Sequence, residues 1–131
     1  MPAVEVAHDV DPREAILNRV GDLKGVEIFG ADVMVAIYER PNKTKSGIYL
    51  TDVTVSEDRF QGKVGLIVKK GPMAWVDDEN VTFRDEDRCD VGDWVFFRPS
   101  DGWQMLVNGV SCRMLDDTVV RGRVPDPDMI W

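Results

Sequence analysis

Two hydrophobic periods divide this chain. Ile16, Leu17 and Val20 recur at helical spacing. Asp11 stands at a capping position, Pro12 at the first helical position, and Glu14 completes a capping-box-like pattern; Gly21 ends it. This predicts a short amphipathic helix over Pro12–Val20, docked on the body or on a neighbouring subunit. From Val26 onward the period changes to two. Val33, Val35 and Ile37 alternate with Met34, Ala36 and Tyr38, so the strand is apolar on both sides. Such a strand is covered on both faces or pairs with another subunit. Val64–Val68 is the next strand, and Gly71-Pro72 breaks it.

The second half reads as hairpins. Ala74–Val76 and Val81–Phe83 flank Asp77-Asp78-Glu79-Asn80, a hairpin with a four-residue turn. Val91-Gly92-Asp93 turns into Trp94–Phe97. Pro99–Gly102 turns into Trp103–Val107, Asn108-Gly109 is a strong hairpin signal, and Val110–Leu115 returns. Thr118–Val124 is the last strand pattern before Pro125 and Pro127. About seven short strands at regular spacing predict an all-β barrel or sandwich. No helical pattern lies between them, which argues against a parallel sheet.

One stretch breaks this rhythm. Between the first two strands, Glu39–Gly71 contains a polar segment carrying three bulky apolar residues in a row, Ile48-Tyr49-Leu50. Either the domain's own core buries them or a partner does. Thr51–Val55 continues with β-branched residues, so an ordinary barrel strand is the competing reading.

Length and composition narrow the classes. The chain has 131 residues, 44% hydrophobic and 31% charged, which fits one globular domain. No run approaches the ~20 apolar residues of a membrane span. The first residues carry acidic groups and no apolar core of a signal peptide. Cytoplasmic residence is the expectation. The net charge of −8 argues against binding nucleic acid by phosphate neutralisation. The acidic runs Asp77–Glu79 and Asp85–Asp87 read as solvated turns, since neither supplies the ligand set of a calcium loop.

Catalytic signatures are missing. There is no nucleophile elbow, phosphate-binding loop, zinc-protease motif or dinucleotide fingerprint. The sole histidine, His8, lies in a stretch that reads as loosely attached. Cys89 and Cys112 are too few for a structural zinc site and read as two free thiols, Cys112 in a packing role. No carboxylate sits in an apolar strand where burial would raise its pKa; Asp93 comes nearest and reads as a turn residue. Trp75, Trp94 and Trp103 lie in strand patterns and read as core or interface residues.

The order of elements resembles the GroES-type co-chaperonin family. The resemblance covers roughly 26–124. The family's opening strand is matched by Asp32–Arg40, and its polar loop by Thr44-Lys45-Ser46-Gly47-Ile48-Tyr49-Leu50. The strand after the loop is matched by Gly62–Gly71, its V-K-x-G-D-x-V-x-F motif by Asp90–Phe97, and its final strand by Asp116–Val124. Each motif is unspecific alone; their order and spacing carry the resemblance. The chain departs from the family in having Ser46 for one glycine of the usual pair, Tyr49 in the triplet, a longer acidic segment over 72–88, an N-terminal helix and a C-terminal tail. A divergent, virus-encoded member would fit these departures, and its site of action would then be the host cytoplasm.

What the resemblance implies is specific. The fold would be a small β-barrel over 26–124, with a mobile loop at about 41–61 hinged at Gly47 and Gly62, and a roof hairpin at about 72–88. An N-terminal extension (1–25) and a tail (125–131) would flank it. Seven subunits would form a ring, first and last strands of neighbours pairing, here Val33–Tyr38 and Thr118–Val124. Ile48, Tyr49 and Leu50 would dock on a nucleotide-bound GroEL-type chaperonin ring. Asp77, Asp78 and Glu79 would lie at the roof opening. The chain itself would be no enzyme and would need no cofactor, ATP hydrolysis belonging to the chaperonin. The alternatives are a non-catalytic β-barrel binding module and a structural assembly subunit.

Overall fold

The computed structural model describes residues 10–39 and 63–130. One helix, α1 (Pro12–Val20), and six strands are found among them: β1 (Asp32–Ile37), β2 (Val64–Lys70), β3 (Trp94–Phe96), β4 (Trp103–Val107), β5 (Val110–Asp116) and β6 (Gly122–Val124). All neighbours are antiparallel, in the order β4-β5-β1-β2-β3-β6. The chain is thus mostly β, one sheet with a short helix. Among the described residues β4 and β6 are its two edges. No helix among them is long and apolar enough to cross a membrane.

The period-two reading of β1 holds. Val33 to Ile37 are buried on both faces. Both flanks come from the same chain, however: β1 pairs with β5 through Val33↔Leu115 and with β2 through Ile37↔Gly65. The expectation that Val33–Tyr38 pairs with a neighbouring subunit is therefore corrected, because its backbone groups are already used on either side.

Each face of the sheet has its own core. Met34, Ala36, Tyr38, Leu66, Trp94 and Cys112 belong to one. Helix α1 covers it through Ile16 and Val20, helped by Leu23, Val26, Ile28 and, from the tail, Ile130. The helix has the predicted bounds. Asp11 caps it by accepting from Arg13 N at 3.0 Å, and Gly21 ends it in a left-handed conformation, φ +71°. The Asn108 side chain donates to the Val20 carbonyl at 2.5 Å, fastening the helix to the β4–β5 turn. Val33, Val35, Ile67, Val95, Phe97 and Leu115 form the second core, covered by Ala74, Trp75 and Cys89.

The segment over 71–93 differs from the predicted hairpin. A turn is present, with Asp78 N donating to Val81 O at 2.9 Å, but Ala74–Val76 and Val81–Phe83 form no ladder. The Asp78 carboxylate takes the N–H groups of Asn80 and Val81, and Asp77 takes that of Phe83. Side-chain acceptors thus claim donors that a ladder would use. The last predicted strand is also shorter. Asp117–Val119 forms a 3₁₀ turn capped by Asp116, which accepts from Thr118 N at 3.0 Å, and only Gly122–Val124 pairs. The expected seven strands become six among the described residues.

Candidate functional site

The apolar triplet Ile48, Tyr49 and Leu50 and the hinge glycines Gly47 and Gly62 lie outside the described residues. What is described is the root from which their segment leaves. The β1–β2 ladder continues beyond Ile37↔Gly65 with a hydrogen bond from Tyr38 N to Val64 O at 3.0 Å. Gly65 lets the two strands come close, since a Cβ there would stand 3.0 Å from Ala36 O. On the returning arm, Phe97 N donates to Lys63 O at 2.9 Å.

Tyr38 is held at both ring and hydroxyl. Its ring meets Trp94 edge-on, centroids 5.4 Å apart at 72°, an arrangement worth about 0.5–1.5 kcal/mol beyond area burial. Its hydroxyl donates to the Asp128 carboxylate in the 3₁₀ turn Pro127–Met129. The tail reaches this position because Pro127 is buried and Ile130 packs on the first core. Sequence reading assigned Tyr38 only to a core face and gave Asp128 no role.

The acidic run leaves the opposite end of the same strand. The segment 40–62 enters β2 at Val64, whereas the chain leaves β2 at Lys70 toward Asp77, Asp78 and Glu79. A strand of this length separates its ends by about 20 Å. The run is exposed, as expected of a solvated turn. Asp77 also pairs with Arg88 at 3.1 Å. Arg88 in turn donates to the Trp75 and Phe83 carbonyls, tying the turn back to the segment that carries it.

A cleft of about 580 Å³ lies between this segment and the chain leading into β6, lined among others by Phe83, Cys89, Asp117, Val120, Arg121 and Arg123. Asp117, in the 3₁₀ turn after β5 and not in an apolar strand, is a buried carboxylate that the sequence reading passed over. It is 5% exposed, and burial raises its carboxyl above the ordinary value, while the N–H of Trp75, 2.8 Å from Oδ2, opposes that shift. Two adjacent aspartates read as a turn, and nothing local in the sequence signals that Trp75 covers the second. Asp93 behaves as a turn residue, accepting from Asp90 N at 2.9 Å.

The cleft offers little for nucleophilic chemistry. Burial pushes the Cys89 thiol up, so it is protonated near neutrality. Arg123 is occupied as a tie, donating to the Glu86 carbonyl at 2.9 Å and the Arg88 carbonyl at 3.1 Å. Among the described residues, no three His, Cys, Asp or Glu side chains are grouped to hold a metal ion. Both cysteines are free and buried. Trp94 and Trp75 are core residues, but Trp103 on edge strand β4 is 61% exposed, so the core reading fails for it.

Protein-family models give no match to this chain, and curated proteins give none either.

Proposed function

We propose that this chain is a GroES-type co-chaperonin, a lid that caps a nucleotide-bound chaperonin ring and encloses substrate protein for folding. The observation that carries the reading is the opposed placement of two segments on β2. The one with Ile48, Tyr49 and Leu50 is rooted at Val64, and the acidic turn Asp77–Glu79 is reached from Lys70. A lid needs this polarity, with partner-binding groups at one end and a solvated closure at the other. The order of sequence motifs supports it independently. Under this reading the sheet belongs to a small barrel, β6 and not β1 offers an edge to a neighbour in a homo-heptamer, and the chaperonin supplies all nucleotide chemistry.

Ile48 and Leu50 dock in an apolar groove of the ring, each contributing about 1.5–3 kcal/mol of burial. One such contact is weak, and seven on a ring act by avidity. The test is co-sedimentation with a bacterial-type chaperonin ring with and without ATP. The expected result is nucleotide-dependent binding that Ile48→Asp abolishes while far-ultraviolet circular dichroism stays unchanged. Loss of the β-sheet signal in that variant would place the triplet in the core instead.

A second reading, a structural assembly subunit, draws on β4. Among the described residues this strand is a sheet edge and exposes Trp103 and Leu106, the latter at 72%, and sheet edges recruit other chains. It predicts a large native assembly that does not rescue a chaperonin-dependent folding substrate.

A further inference from the structure

The tail beyond β6 forms a strap. We propose that Asp128 positions the root of segment 40–62 by holding the Tyr38 hydroxyl, so that the C-terminal turn fixes the strand end that launches this segment.

The circuit is short and closed. Tyr38 directly follows β1, and its N–H donates to Val64 O. Its ring packs against Trp94. Trp94 is the register partner of Val124 on β6. From Val124 the chain runs through Pro125 to the turn Pro127–Met129, where Asp128 accepts from the same Tyr38. Asp126 caps that turn by accepting from Asp128 N at 2.9 Å, fixing the backbone that presents the carboxylate. Two prolines restrict the intervening backbone. Buried Pro127 and half-buried Ile130 seat the strap, Ile130 on the first core. Ring and hydroxyl of one residue are therefore gripped at two points, by Trp94 on β3 and by the strap that leaves β6 beside it. A merely packed tail would have no need to reach the hydroxyl.

The consequence for partner binding rests on the proposed function; the positioning itself does not. A frayed root lacks the order that the strap supplies, and binding must then restore it. Two variants test the strap. Tyr38→Phe keeps the ring and removes the donor, whereas Asp128→Ala removes the acceptor. Asp128→Asn retains an oxygen acceptor and should restore part of the effect. The first readout is hydrogen exchange at the Tyr38 amide, with the β5 amides as reference.

Both variants should accelerate exchange at Tyr38 by about tenfold, leave β5 unchanged, and in combination do no more than either alone. The second readout is ATP-dependent binding to a bacterial-type chaperonin ring, which should weaken in parallel. If Tyr38 exchange changes no more than that of β5, the inference is overturned whatever the chaperonin does. If root exchange responds as expected but the wild-type chain binds no chaperonin, the strap stands and the co-chaperonin reading falls.

Discussion

Asp117 holds Trp75 in a conformation that tryptophan rarely adopts. The carboxylate accepts the Trp75 N–H at 2.8 Å, and Trp75 has φ +56°. A left-handed conformation costs a side chain about 1–2 kcal/mol, offset here by a buried hydrogen bond and by packing in the second core. The bond joins the covering segment to the 3₁₀ turn that follows β5. Asp117→Ala should therefore destabilise the protein by about 2–3 kcal/mol in urea unfolding. A change below a few tenths would show that packing alone holds Trp75.

The pH dependence of that site has a defined sign. Burial raises the Asp117 carboxyl, whereas the backbone N–H of Thr118 holds the neighbouring Asp116 carboxyl low. A raised acid contributes stability that is full below its unfolded value and lost as pH climbs through its folded value; a depressed acid does the opposite. Asp117→Asn removes the first contribution and leaves in place the main hold on Asp116, the Thr118 N–H. Measured against that variant, the wild type should be relatively most stable in acid and lose ground as pH rises from about 4 toward neutrality. A difference that grows with pH would contradict this.

Two glycines with similar backbone angles should respond differently. Gly102 has φ +71°, and a Cβ there would run into the Met114 carbonyl and the Leu115 side chain. Gly109 has φ +79° but open space around it. Gly109→Ala should cost about 1 kcal/mol from conformational strain alone. Gly102→Ala adds backbone displacement and should cost about 3 kcal/mol or more. Thermal unfolding of the two variants side by side makes the comparison.

Neither thiol should react in the folded protein. Burial raises the Cys89 thiol and pushes Cys112 up to about 11, so the thiolate fraction at neutral pH is small. A disulfide reagent should label both cysteines only at the rate of unfolding. Rapid labelling of Cys89 alone would mean that the 71–93 cover opens independently.

Asn108 should couple hairpin to helix. It stands at φ +51° in the β4–β5 turn and donates to the Val20 carbonyl. Asn108→Ala should lose both the conformational fit and the donor, costing about 1–2 kcal/mol. Exchange of α1 amides should accelerate more than that of β5.

The legible parts of this chain were those specified by short-range pattern. Capping residues bounded α1 correctly, and alternation located β1, β2, β4 and β5. Asn108-Gly109 marked their hairpin with two left-handed residues. The 71–93 segment carried the same apolar alternation, yet Asp77 and Asp78 took the backbone donors locally. Exposure of Trp103 follows from β4 being an edge, which depends on strand order rather than local sequence. The contacts Trp75–Asp117 and Tyr38–Asp128 join residues far apart in the chain, and no spacing rule announces them. Ile48, Tyr49 and Leu50 stood out for the opposite reason, as apolar residues in a polar segment, and lie outside the described residues.

The central place of β1 also bears on how the molecule is made. This strand leaves the ribosome well before β5, so Val33 must wait for Leu115 as its partner on one side. Until then a ribbon of valine, methionine and isoleucine has one long edge without its partner. Such distant pairing slows folding and prolongs exposure of apolar strands. Nascent chains arrested before β5 should consequently stay protease-sensitive and prone to aggregate, and resistance should come abruptly once the hairpin carrying Leu115 clears the exit tunnel.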